Sequence, residues 1–193
     1  RLIAQGYRCV APNQRGYSPG ARPRRRRDYV VEELVADVTA LIDALGARRV
    51  HLVGHDWGAT VAWATAALAP ERLATLTTLS VPHPAAFFAA LATSRQFVAS
   101  WYMYFFQLPK APEWFLGRQG GKGLTAFIEG YAGQTPAAAA RDISRLMDSG
   151  SFTTALNWYR AIPLNKPRVM NARTQVPTCL LYTSDAADDL LCV

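Results

Sequence analysis

Val50-His51-Leu52-Val53-Gly54-His55-Asp56-Trp57-Gly58 decides how this chain is read. Val50, Leu52 and Val53 suit a buried strand, and Ala59 to Leu68 reads as a helix, so a tight turn must join them. A residue raised at the tip of such a turn sits in strained backbone and needs small neighbours two positions to either side. Gly54 and Gly58 occupy those positions around Asp56. An aspartate before a helix can also serve as its N-cap, but a cap does not require glycine on both flanks.

Working outward, Asp28 to Leu45 carries Val31, Leu34, Val35, Val38, Leu41, Ile42 and Leu45, a helical repeat with one apolar face that Gly46 ends. Arg1 to Gly6 reads as the end of a helix, Tyr7 to Ala11 as a strand, and Leu73 to Val81 as the strand after the turn-bearing one, closing in Pro82-His83-Pro84. Strands alternating with helices imply a doubly wound α/β sheet. Ligands bind at the carboxyl edge of such sheets, which is the edge where Asp56 falls. From Pro84 the pattern turns helical and aromatic, with Phe87, Phe88, Phe97, Trp101, Tyr102, Tyr104, Phe105 and Phe106, and no strand signal returns until about Gln175. The Gly-rich run Gly117 to Gly123 is expected to be a loop and fits neither nucleotide-binding fingerprint.

Gly54-His55-Asp56-Trp57-Gly58 after an apolar strand resembles the nucleophile elbow of the α/β-hydrolase fold, in the aspartate-nucleophile branch of epoxide hydrolases and haloalkane dehalogenases. The resemblance implies a partial α/β-hydrolase doubly wound parallel sheet with an inserted helical cap. Residues 1–83 would be the incomplete core, 84–170 the helical cap and 171–178 the start of a returning core strand. It further implies that Asp56 attacks a saturated carbon to form an ester, and that the N–H of Trp57 helps to bind the oxyanion when water cleaves that ester. Pro12-Asn13-Gln14-Arg15-Gly16-Tyr17-Ser18 matches the family's entrance loop in outline, with Asn13 where Asp is usual.

Two cap segments resemble those of epoxide hydrolases in particular. Tyr102-Met103-Tyr104-Phe105-Phe106-Gln107-Leu108-Pro109 matches the first cap-tyrosine segment and assigns that tyrosine to Tyr102, with Tyr104 as a competitor. Asn157-Trp158-Tyr159-Arg160 matches the second and assigns its partner to Tyr159. In the family the two phenols hydrogen-bond the epoxide oxygen and protonate it as the ring opens, and a phenol of pKa about 10 is acidic enough to do so. Packing in a helical core is the plainer role for such tyrosines. The implied partners are a small apolar epoxide and water, with no cofactor and no metal. A haloalkane dehalogenase is the alternative, since an indole beside the nucleophile can bind halide. A non-catalytic binding or receptor protein on the same fold is the alternative of another class.

By the same resemblance the catalytic histidine follows the last strand, the relay acid sits in a Gly-x-x-Asp turn after the strand that begins at Gln175 to Thr178, and the loop giving the second oxyanion donor precedes Arg1, so the chain reads as a truncated, inactive fragment. His51, His55 and His83 read as structural. Residues 179–193 do not continue the family pattern. Cys179-Leu180-Leu181-Tyr182-Thr183-Ser184 and the Asp185-Ala186-Ala187-Asp188 that follows read as a sequencing adapter translated in frame, which would leave Asp185 no catalytic role and Cys9 as the native cysteine.

Composition narrows the remaining classes. Of the net charge of +7, Arg22, Arg24, Arg25, Arg26 and Arg27 supply five in one Pro-containing loop, which suits a solvated loop and argues against a nucleic-acid face. The three cysteines have neither metal-ligand spacing nor a disulfide framework, which fits a cytoplasmic setting. No apolar run reaches the roughly 18 residues of a membrane span.

Overall fold

The computed structural model describes residues 1–132, 135–181 and 190–192, with backbone alone for 130–132 and 190–192. Asp185 lies outside the described residues. The chain divides into two compact units, Arg1–Arg24 with Pro112–Leu156 and Arg25–Ala111 with Asn157–Val193.

The second unit holds the sheet. Strand β1 (Val50–His55) pairs in parallel with β2 (Leu73–Leu79), with Leu52 opposite Leu76 and Gly54 opposite Thr78. In turn β2 pairs in parallel with β3 (Thr178–Leu181), and β3 pairs antiparallel with β4 (Leu190–Cys192). The order is β1-β2-β3-β4, which puts β1 at an edge among the described residues. Between β2 and β3 the described chain is helical, and between β1 and β2 runs α2 (Trp57–Leu68).

Helix α2 is buried on nearly every side, and its composition explains how. Ala62, Trp63 and Ala66 pack with Ile42, Leu73, Leu76 and Val176, while Ala64 packs with Val31, Val35 and Val169. Alanines let the backbone approach its neighbours closely, and an all-apolar helix is one that a larger core surrounds. Its partner α1 (Val31–Ala44) buries Val31, Leu34, Val35 and Ile42 as the helical repeat predicts. It starts three residues later than the repeat suggests, because Val30 is extended (φ −64°, ψ 153°) and Arg26–Tyr29 form a separate 3-10 turn. Val30 has no side-chain oxygen to cap the helix. The amide of Val31 instead donates to Asn165 Oδ1 at 2.7 Å.

Two boundaries differ from expectation. Strand β2 ends at Leu79 rather than Val81, because Ser80 turns to φ 64° and breaks the extended run. Tyr7 to Ala11 is not a strand. A strand is defined by its ladder, and these residues have no ladder partner among the described residues, whatever their β propensity.

In the other unit, α6 (Ala111–Ala132) is interrupted where Arg118 is extended and Gln119, Gly120 and Gly121 are left-handed. The expected loop is therefore a four-residue break within a helix. Gly121 is required twice over: its φ is 88°, and a Cβ there would stand 2.8 Å from Ile143 Cγ2 on α7 (Pro136–Asp148). Thr154 Oγ1 donates to Gly16 O at 2.6 Å, and the Arg22 guanidinium donates to Ser149 O, so the N-terminal segment is tied into this unit. No helix among the described residues is long and apolar enough to cross a membrane.

Candidate active site

Asp56 stands between β1 and α2 with φ 51° and ψ −123°. For a residue with a Cβ that region is strained, at a cost of about 1 to 3 kcal/mol, and it persists only where the surroundings enforce it. Gly54 shows how. A Cβ on Gly54 would lie 2.6 Å from the carbonyl carbon of Gly58 and 2.7 Å from Ala59 Cα, so only glycine lets the strand come this close to the incoming helix. Asp56 occupies the N-cap position, and its carbonyl accepts from Ala59 N at 2.9 Å, yet its side chain makes no capping hydrogen bond. The carboxylate is exposed rather than folded back on its own helix. Trp57 is the first helical residue, a position whose N–H has no acceptor within the helix.

A cavity of about 320 Å³ opens at this corner, and all of its wall belongs to the sheet-bearing unit. Asp56, Trp57, Tyr102 and Tyr159 line it together. The four residues come from three places in the chain: the elbow, α5 (Trp101–Phe105) and α8 (Phe152–Arg160). Tyr102 and Tyr159 have ring centroids 5.9 Å apart, and Tyr159 also meets the Trp57 indole edge to face at 5.0 Å. Trp57 in turn meets Trp158, which is buried and packs with Tyr29. Tyr104 is elsewhere: 47% exposed, it stacks on Phe97 and does not line the cavity. Of the two tyrosines in that segment, the cavity takes Tyr102.

The rest of the wall is mostly apolar, with Phe87, Phe88, Met103, Ile162 and Met170 among its members. A small apolar molecule would be desolvated there beside one carboxylate and three tyrosines, Tyr29, Tyr102 and Tyr159, the pattern of a pocket in which few polar groups fix orientation. Among the described residues no group of His, Cys, Asp and Glu could hold a metal ion. His83 is occupied structurally: its Nδ1 accepts from Ala85 N at 3.2 Å as the N-cap of α3 (Pro84–Thr93), and its Nε2 lies 3.1 Å from Ala172 O. That pairing fixes the tautomer with the proton on Nε2. His51 Nδ1 is 2.8 Å from Thr75 Oγ1 on the neighbouring strand.

The alpha/beta hydrolase fold family matches residues 1–127. The chain belongs to the α/β hydrolase fold family.

This α/β hydrolase is 34% identical over 198 residues to "Epoxide hydrolase 1" of Caenorhabditis elegans, covering 97% of the chain and 49% of that relative. It is 34% identical over 166 residues to "AB hydrolase superfamily protein YfhM" of Bacillus subtilis, covering 83% of the chain and 58% of the relative. Among solved structures, an epoxide hydrolase from Vigna radiata superposes with a TM-score of 0.73 at 29% identity, covering 93% of this chain and 65% of that one. The chain spans about half the length of the curated relatives it matches.

Several wall residues of this α/β hydrolase carry no sequence signal. Ser80 lines the cavity from a turn of positive φ, and Asn165 lines it while capping α1. Gln107 and Arg160 flank the tyrosines through hydrogen bonds to backbone, a role that only tertiary structure reveals. The one hint was their place inside the two tyrosine segments.

Proposed function

We propose that the protein of which this chain is part opens epoxides to diols. The observation that carries the reading is that one carboxylate, Asp56, and the phenols of Tyr102 and Tyr159 share a largely apolar cavity, whose wall also includes Tyr29. In the first step an oxygen of Asp56 attacks a ring carbon, the carbon–oxygen bond of the epoxide breaks, and the freed oxygen takes a proton from a phenol, leaving a hydroxyester. Water then adds to the ester carbonyl, the acyl–oxygen bond breaks, and the diol leaves with the Asp56 carboxylate regenerated and the proton released returned to the phenolate. In this reading the amide of Trp57, at the first position of α2, donates to the oxyanion of that second step. Neither His83 nor His51 is assigned as the water-activating base, since both hold structural hydrogen bonds.

Residues 84–170 are the cap segment in this reading, supported by the cavity residues that its stretches within the sheet-bearing unit contribute, Pro84 to Met103 and Tyr159 to Met170. The substrate is a small, mainly apolar epoxide, as the aromatic and thioether wall favours. A cytoplasmic setting belongs to the same proposal and is supported by the free, exposed thiol of Cys9.

Haloalkane dehalogenation is the second reading, favoured by the indole of Trp57 in the cavity beside Asp56. It needs no proton for its leaving group. Full-length protein is to be assayed side by side with an aryl epoxide and a chloroalkane. Diol formation that falls with Asp56→Ala is expected. Chloride release that survives Tyr102→Phe with Tyr159→Phe, without epoxide turnover in the parent, would give the site to the second reading. Tight binding of either compound without turnover would make it a receptor.

A further inference from the structure

We propose that Gln107 and Arg160 are positioning residues that hold the phenols of Tyr102 and Tyr159 in fixed opposition across the substrate oxygen. This rests on the epoxide-opening reading. Helix α5 contains only five residues, far below the roughly 12 to 15 at which a helix begins to hold itself in water. Tyr102 therefore depends on outside contacts for its position. Gln107 Nε2 donates to Tyr159 O at 2.7 Å and to Met103 O at 3.2 Å, so one amide nitrogen ties the backbone of one tyrosine to the residue that follows the other.

Arg160 makes the reciprocal tie. Its Nε donates to Phe106 O at 3.0 Å and its Nη2 to Leu108 O at 2.9 Å, while the residue is only 9% exposed. Carbonyls at a helix C-terminus have no acceptor role within the helix, and the planar guanidinium fork can reach two at once. Hydrogen bonds thus run in both directions between 103–108 and 159–160. Phe106 fills the space between, its ring 5.6 Å from Tyr102 and 4.9 Å from Tyr159. Groups that must meet one oxygen need to be held to about half an ångström, and a brace of this kind supplies that restraint where a one-turn helix cannot.

The test uses the full-length protein and Gln107→Met, which keeps the length and removes the donor. Ester formation and ester breakdown are to be timed separately in single-turnover experiments, on an alkyl epoxide and on a trifluoromethyl epoxide whose alkoxide is less basic. Ester formation from the alkyl epoxide should slow roughly tenfold to a hundredfold. The trifluoromethyl epoxide should lose far less, because its oxygen depends less on a donated proton, and ester breakdown should stay within about twofold of the parent. Arg160→Lys, which keeps one donor of the fork, should lose less than Arg160→Met. Equal losses on both epoxides, or ester formation as fast as in the parent, would overturn the brace. Should Gln107→Met not fold, the same comparison on Arg160→Lys decides. A parent that opens neither epoxide would overturn the epoxide reading instead.

Discussion

Tyr102 and Tyr159 meet edge to face, their ring planes at 78° and their centroids 5.9 Å apart, on the wall of the cavity that also holds Asp56. The epoxide reading gives the two phenols one substrate oxygen to share. On the epoxide reading, Tyr102→Phe and Tyr159→Phe should each raise the barrier to ring opening by about 1 to 3 kcal/mol, since the remaining phenol still donates. The double variant should lose more than the sum of the two. A double-mutant cycle on the rate of ester formation measures this, and strict additivity would mean that the phenols do not share one oxygen.

Asp56 combines the proposed nucleophile with a backbone angle suited to glycine. Asp56→Ala and Asp56→Gly should both abolish ester formation. Their stabilities should separate: Gly relieves the positive φ and Ala does not, so Asp56→Gly should be the more stable of the two by about 1 kcal/mol in urea unfolding. Turnover retained by either variant, or Ala as stable as Gly, would contradict the account of the elbow.

Gly54 is the spacer that makes the elbow possible. In Gly54→Ala the new methyl would stand 2.6 and 2.7 Å from backbone atoms of Gly58 and Ala59, so the helix must move or the strand must bend. The expected loss is about 1 to 3 kcal/mol of stability together with slower ester formation, because Asp56 rides on the same turn. A variant that melts with the parent and turns over at the parent rate would show that the contact relaxes freely.

How much was legible depended on how local each feature is. The glycine-flanked Asp56 and the apolar face of Val31, Leu34, Val35 and Ile42 are set within a few residues of sequence, and the structure has them as read. The end of β2 comes two residues before the one that Pro82 signals, because Ser80 takes a positive φ that its residue type does not announce. Tyr7 to Ala11 has strand composition but no ladder, and a ladder is a property of two segments. Tyr102 and Tyr104 could not be separated by composition; exposure and the ring of Phe97 separate them. Gln107 and Arg160 act on backbone carbonyls, and such contacts leave no pattern in side-chain chemistry.

The adapter reading of residues 179–193 stands apart from the fold. Cys179 to Leu181 pair with Thr77 to Leu79, but ladder hydrogen bonds are made by backbone, and an apolar run of β-favouring residues can satisfy them whatever its origin. Amplification of the source locus should show a reading frame that departs from this sequence after the Thr178 codon. An uninterrupted genomic frame through Val193 would disprove it.

Asn165 caps α1 from 134 positions further along the chain. While the protein is being synthesised, α1 leaves the ribosome with Val30 at its N-terminus and no local oxygen to receive the Val31 amide. The Asn165 cap reaches it only after a further 134 positions have followed, and a contact of such long sequence separation carries the loop-closure entropy that slows folding. One side chain therefore couples the wall of the cavity to the start of α1, because the residue that finishes the helix also lines the site.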